Sequence, residues 1–203
     1  MKKYLLPVLA ALILIPIGII ITMQILKGNQ QNLWDPSGLA TRPKTERSGE
    51  RRTFTHFKTY VSKDLKFSMK IPEDWTVEKE EGSLYFLSNP KDEKDQIREN
   101  INVLREDLSG DPKTLEEYTE IALAQIKTME GYAIIGSQDI QIDGNPAKTV
   151  VYRALVKNVS LTFQQAWTVT DDAAYVLTLA TQEETFPEYA QLFVRMANTL
   201  SLQ

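Results

Sequence analysis

From Tyr4 to Leu26 the chain carries no charged side chain. A helix needs about 20 such residues to cross a hydrocarbon core, so this run divides the chain before anything else is read. Lys2 and Lys3 precede it. The positive-inside bias therefore keeps the N-terminus in the cytoplasm and sends the remainder across. Pro7, Pro16 and Gly18 would weaken a soluble helix but are tolerated in a membrane helix. A cleaved signal peptide is the competing expectation. It would have an apolar region of about 7–15 residues and a small-x-small cleavage site. Residues 22–31, TMQILKGNQQ, offer no convincing site. The expectation is an uncleaved signal anchor over residues 1–27, forming one N-terminal transmembrane helix.

Residues 28–53 are rich in Gly, Asn, Gln, Pro, Ser, Thr and charge, and show no apolar periodicity. They read as a flexible basic linker. Its only large apolar groups are Leu33, Trp34 and Leu39. Trp34 is suited either to the membrane interface or to packing on the folded domain, and both remain open. Residues 1–52 hold eight Lys/Arg against three acids, a net +5. The remainder holds 15 against 24, a net −9. An acidic domain on a basic tether argues against nucleic acid as partner. The tether's bases suit either anionic headgroups or a merely solvated linker. With no cysteine, disulfides, thiolate metal sites, cysteine nucleophiles and an N-terminal lipidated cysteine are excluded.

The domain runs over residues 54–203 and reads as α+β with a mostly antiparallel sheet. Two strands flank Ser62-Lys63-Asp64; in the second, Phe67, Met69 and Ile71 share a face and Pro72 stops the ladder. A second pair flanks Gly82. Residues 88–100 form a charged loop, and INVLRED resumes as a strand. A helix opens at Asp111-Pro112, or one turn later at Thr114 with Glu117 as a capping box. Its apolar face is Leu115, Tyr118, Ala122, Ile126 and Met129, and Gly131 ends it. Four strands follow, joined at Asp143-Gly144-Asn145, Lys157-Asn158 and Asp171-Asp172. Leu161, Phe163, Trp167 and Val169 share a face of the third, and the fourth, apolar on both faces, is expected to be central. A last helix runs from about Thr185 to Leu202 with Phe186, Tyr189, Phe193, Ala197 and Leu200 as its stripe.

Chemistry-bearing motifs are scarce. The single histidine, His56, lies between Thr55 and Phe57 in a first strand and reads as a surface or strand residue. One histidine and no cysteine leave no zinc or redox-metal set. The acids Asp92, Glu93 and Asp95, and the pair Asp171 and Asp172, lack the loop spacing of a calcium site. No GxSxG, GxGxxG or phosphate-loop pattern occurs. Carboxylate pairs can be picked from 24 acids, but nothing singles one out. No catalytic, cofactor-binding or metal residue is assigned, and the expectation is a non-enzymatic module.

The segment F-x-M-x-I-P-x-x-W at Phe67–Trp75 resembles the opening signature of the PsbP-like domain family, which includes photosystem II extrinsic proteins and DcrB-like envelope proteins. TLEEYTE from Thr114, IDGNPAKTVVYRA from Ile142 to Ala154, QAWTV and a closing helix follow in the family's order. The resemblance implies an α-β-α sandwich around the antiparallel sheet. It implies an extracytoplasmic accessory protein that assists assembly or stability of a membrane complex, photosystem II in a photosynthetic organism, with the domain then in the thylakoid lumen. Calcium or manganese is implied by the resemblance alone. Cyanobacterial members are often lipoproteins, and this chain lacks the cysteine that requires. The alternative is an envelope module binding a small ligand or a divalent cation.

Overall fold

The computed structural model describes residues 53–80, 82–89 and 98–203. The expected signal anchor, almost all of the linker, and the acids Asp92, Glu93 and Asp95 lie outside them. Among the described residues no helix is long and apolar enough to cross a membrane.

The first elements among the described residues form an antiparallel hairpin, β1 (Phe57–Ser62) and β2 (Phe67–Pro72). Phe67, Met69 and Ile71 of β2 are buried, while Lys70 between them faces water. This alternation is the period-two pattern of a half-buried strand. Next come β3 (Thr76–Glu80) and β4 (Ser83–Leu87), turned at Gly82, whose φ of +71° suits a residue without Cβ. β5 spans Asn100–Asp107.

Helix α1 (Leu115–Ile126) starts at the later of the two expected positions. Thr114 Oγ1 accepts from Glu117 N at 3.2 Å, and Glu117 Oε2 accepts from Thr114 N at 2.8 Å. The reciprocal box satisfies two otherwise orphaned N–H groups, so it outcompetes the Asp111-Pro112 start. The helix ends at Ile126 with Lys127 as C-cap, earlier than expected. Gly131, at φ +62°, instead turns the chain into the next strand.

β6 (Ala133–Ile142), β7 (Asn145–Val156), β8 (Val159–Val169) and β9 (Ala173–Thr181) form a meander. Every residue of β9 is buried, and it occupies the middle of a seven-stranded sheet ordered β3-β4-β5-β9-β8-β7-β6. Helix α2 (Phe186–Ala197) follows. The expected helix to Leu202 is cut short: Ser201–Leu202 form β10, which pairs with Ser68 and Phe67 of β2. The first hairpin therefore belongs to a separate sheet ordered β1-β2-β10.

Three layers result. One face of the large sheet packs on α1 through Tyr118, Ala122, Ile126, Tyr152, Phe163 and Trp167. The other packs on α2 and the small sheet through Phe67, Ile71, Leu177, Leu179, Tyr189 and Phe193. Fully burying each such side chain is worth about 1.5–3 kcal/mol, so both faces contribute to one cooperative unit.

Candidate functional site

Helix α2 does not reach across its whole face of the sheet. Near β6 and β7 it leaves a groove of about 640 Å³, with predominantly apolar walls. The floor follows from strand register. Gly136 lies opposite Val151, and Val151 opposite Gln164; Gln138 lies opposite Thr149. The facing wall is α2, through Phe186, Ala190, Gln191, Val194 and Arg195. Val194 is 48% exposed, unusual for a valine on a helix whose other large apolar groups are mostly buried.

Two local features keep the floor open. The β6–β7 register slips between Ile134 and Gly136, leaving Ile135 as the extra residue of a bulge. Gly136 then presents no side chain, and a Cβ added there would meet nothing within 4 Å. Arg195 is the one charged residue of the lining. Its Nη1 donates to Phe54 O at 2.8 Å, and its guanidinium sits 4.4 Å from the centre of the Phe57 ring. No carboxylate among the described residues pairs with it. The arrangement suits an apolar body bearing an acceptor or an anionic group.

The other side of β6 is an open edge. Seven successive residues from Ala133 to Asp139 are exposed, and Tyr132, Ile134 and Ile135 give its start a large apolar surface at 44%, 41% and 55% exposure.

His56 lies elsewhere. It lines a second hollow of about 510 Å³ with Thr53, Phe54, Pro72, Glu73 and Asp74. Its Nδ1 is 2.9 Å from Thr55 Oγ1, a contact between exposed neighbours. Asp172 of the acidic turn is engaged by Arg105 Nη2 at 2.8 Å and by Lys66 Nζ at 3.6 Å. Asp171 and Asp172 are thus not gathered with further acids, and the described residues contain no cluster of three potential metal ligands. Burial raises the Glu106 carboxyl above the ordinary glutamate value; Tyr118 Oη, donating at 3.0 Å, and then Lys113 pull the other way. Tyr118 itself is pushed up by burial and then by the Glu106 charge.

Inside the sheet, sequence reasoning missed a lateral row of polar groups on adjacent strands: Tyr85, Asn102, Thr178 and Gln165. Gln165 Nε2 donates to Thr178 Oγ1 at 3.0 Å, whereas Asn102 Oδ1 has no protein partner. Alternate asparagines in ENINVL were the available signal.

The groove, too, was not read from the sequence.

These features define an α-β-α sandwich with a central antiparallel sheet, a closed core and a groove at one corner. The family model of PsbP-like proteins matches residues 8–195, and the chain belongs to that family. Among solved structures, cyanobacterial PsbP from Synechocystis aligns with TM-score 0.54 and 15% identity, over 78% of this chain and 99% of the other. LpqN of Mycobacterium tuberculosis, involved in cell envelope biogenesis, aligns with TM-score 0.57 and 16% identity, over 73% and 91%. A Pseudomonas aeruginosa protein of unknown function, described as a putative regulator, aligns with TM-score 0.54 and 19% identity, over 73% and 99%. At these identities the likeness concerns the fold. No curated protein matches the sequence.

Proposed function

We propose that the protein is a non-catalytic accessory factor, held at a membrane by residues 1–27 with its PsbP-like domain outside the cytoplasm. There it assists the assembly or stability of a membrane protein complex. In a photosynthetic organism photosystem II is the first complex to test. The observation that carries this reading is the edge of β6. An unpaired edge strand rimmed by Tyr132, Ile134 and Ile135 is a surface that proteins ordinarily cover. It can accept an extended segment of a partner by strand addition. The uncharged run from Tyr4 to Leu26 supports the anchoring, and the tether raises the local concentration of the domain near its partner.

Mild crosslinking in native membranes followed by purification of the full chain tests the reading. A defined membrane protein should be recovered with the parent chain. It should be depleted when Ile134→Lys and Ile135→Lys are introduced together. Recovery no greater than with residues 1–53 alone defeats the docking idea. Protease added to intact spheroplasts should digest the domain, and a protected domain overturns the export assignment.

A further inference from the structure

The groove between α2 and the β6–β7 corner and the chain that precedes the domain meet at one point. Arg195 lines the groove and also holds the carbonyl of Phe54, so the first described residues lie at the groove's Arg195 end. Those residues contain just three large apolar side chains between 28 and 53: Leu33, Trp34 and Leu39. We propose that the segment Leu33–Leu39 of the same chain occupies this groove, with Trp34 and Leu39 against Val151, Val194 and Phe186 and the Asp35 carboxylate facing Arg195.

Three observations select this occupant. The first is reach. The 13 residues between Leu39 and Thr53 extend to about 45 Å, and they join the domain beside Phe54, whose carbonyl Arg195 holds. A segment so tethered competes at an effective concentration in the millimolar range, which a second copy in solution does not approach. The second is local sequence. Asp35-Pro36-Ser37-Gly38 has the residue order of a type I turn, with Asp first, Pro second and Gly last. Such a turn would set Trp34 and Leu39 side by side as one apolar cap. The third is charge. Arg195 is cationic and has no carboxylate partner among the described residues, and Asp35 directly follows Trp34. The backbone of the segment also finds hydrogen-bonding side chains in Gln138, Gln164 and Gln191 along the lining.

Docking does not depend on the membrane reading, but its consequence does. With the segment seated, only Gly28–Asn32 separate it from the apolar run. The leash shortens from about 85 Å to about 20 Å at full extension. Docking and release therefore set how far from the membrane the domain can work. The open edge of β6 stays available in both states, because Tyr132, Ile134 and Ile135 are not part of the lining.

Site-specific photocrosslinking of the full chain decides the matter. The photoreactive residue p-benzoyl-L-phenylalanine is placed at Val194, which is 48% exposed and tolerates a bulkier side chain. The chain is irradiated both in detergent micelles and in lipid nanodiscs, and adducts are mapped by mass spectrometry. The expected result is an intramolecular adduct to residues 33–39 in both media. It should be lost with Leu33→Ser, Trp34→Ser and Leu39→Ser combined, and with Gly136→Leu, which fills the floor. Adducts to a second copy, adducts to lipid or detergent, or no adduct above the same probe at Asp139 overturn the proposal. An adduct in both media combined with a domain protected in spheroplasts would retain the docking and remove the membrane consequence.

Discussion

Two buried tryptophans differ in one atom's circumstances. Trp167 Nε1 donates to Thr119 Oγ1 at 2.9 Å, whereas Trp75 Nε1 is buried with no partner. Trp75 still packs well, with Phe54 and Tyr189 rings each 6.2 Å away. Trp75→Ala should cost about 3–5 kcal/mol through lost packing. Trp75→Phe should be milder than Trp167→Phe, because it also removes an unsatisfied donor whose burial costs about 1–3 kcal/mol. Urea denaturation of the three variants checks both statements, and equal losses for the two phenylalanine variants contradict the account. Glu106 gives a residue-scale pH prediction. Burial raises its folded-state pKa above the unfolded value of about 4.3. Between the two values the native state binds more protons than the unfolded one, so this group's contribution to stability falls as pH rises through that window. Glu106→Gln keeps an acceptor for Tyr118 and should gain on the parent as pH rises from about 4 towards neutrality. Urea midpoints across that range measure it, and a gain independent of pH would be inconsistent with the assignment.

At the scale of elements, legibility tracked how local each determinant is. The faces of β2 and β8 and the central place of β9 were readable because a strand's alternation, or its loss, directly reports which faces are covered. The α1 start was ambiguous between two caps, and the reciprocal hydrogen bonds of Thr114 and Glu117 decide it. Thr114→Ala should therefore cost about 1 kcal/mol, read as a shift in thermal midpoint, whereas Asp111→Ala should cost little. β10 was invisible because a two-residue strand has no period; only its partner in β2, far back in the chain, makes it a strand. The groove was invisible for a similar reason. Gly136 and Val194 lie far apart in sequence, and neither residue alone marks a cavity. The meander strand β6 was readable, but its place at the sheet edge was not, because its apolar residues fit either a core or an edge.

For the whole molecule, the −9 domain and the +5 leading segment give opposite electrostatic ends to one chain. Raising ionic strength should weaken any association of residues 1–52 with anionic vesicles while leaving domain stability little changed, since the surface ion pairs contribute at most about 1 kcal/mol each. Vesicle flotation and thermal melts at low and high salt measure the two effects separately. The same molecule is closed by its own tail. Leu202 N donates to Asp143 Oδ2 at 2.9 Å, and Gln203 N to Lys66 O at 2.9 Å, so the last two residues bridge the first hairpin and the β6–β7 turn. That clasp has a consequence for folding. β2 takes its third-strand partner from residues far along the chain, so the small sheet is completed by a contact of long sequence separation and not by a local hairpin. Leu202→Pro, which removes the N–H that Asp143 holds, would disturb folding more than its distance from the groove suggests.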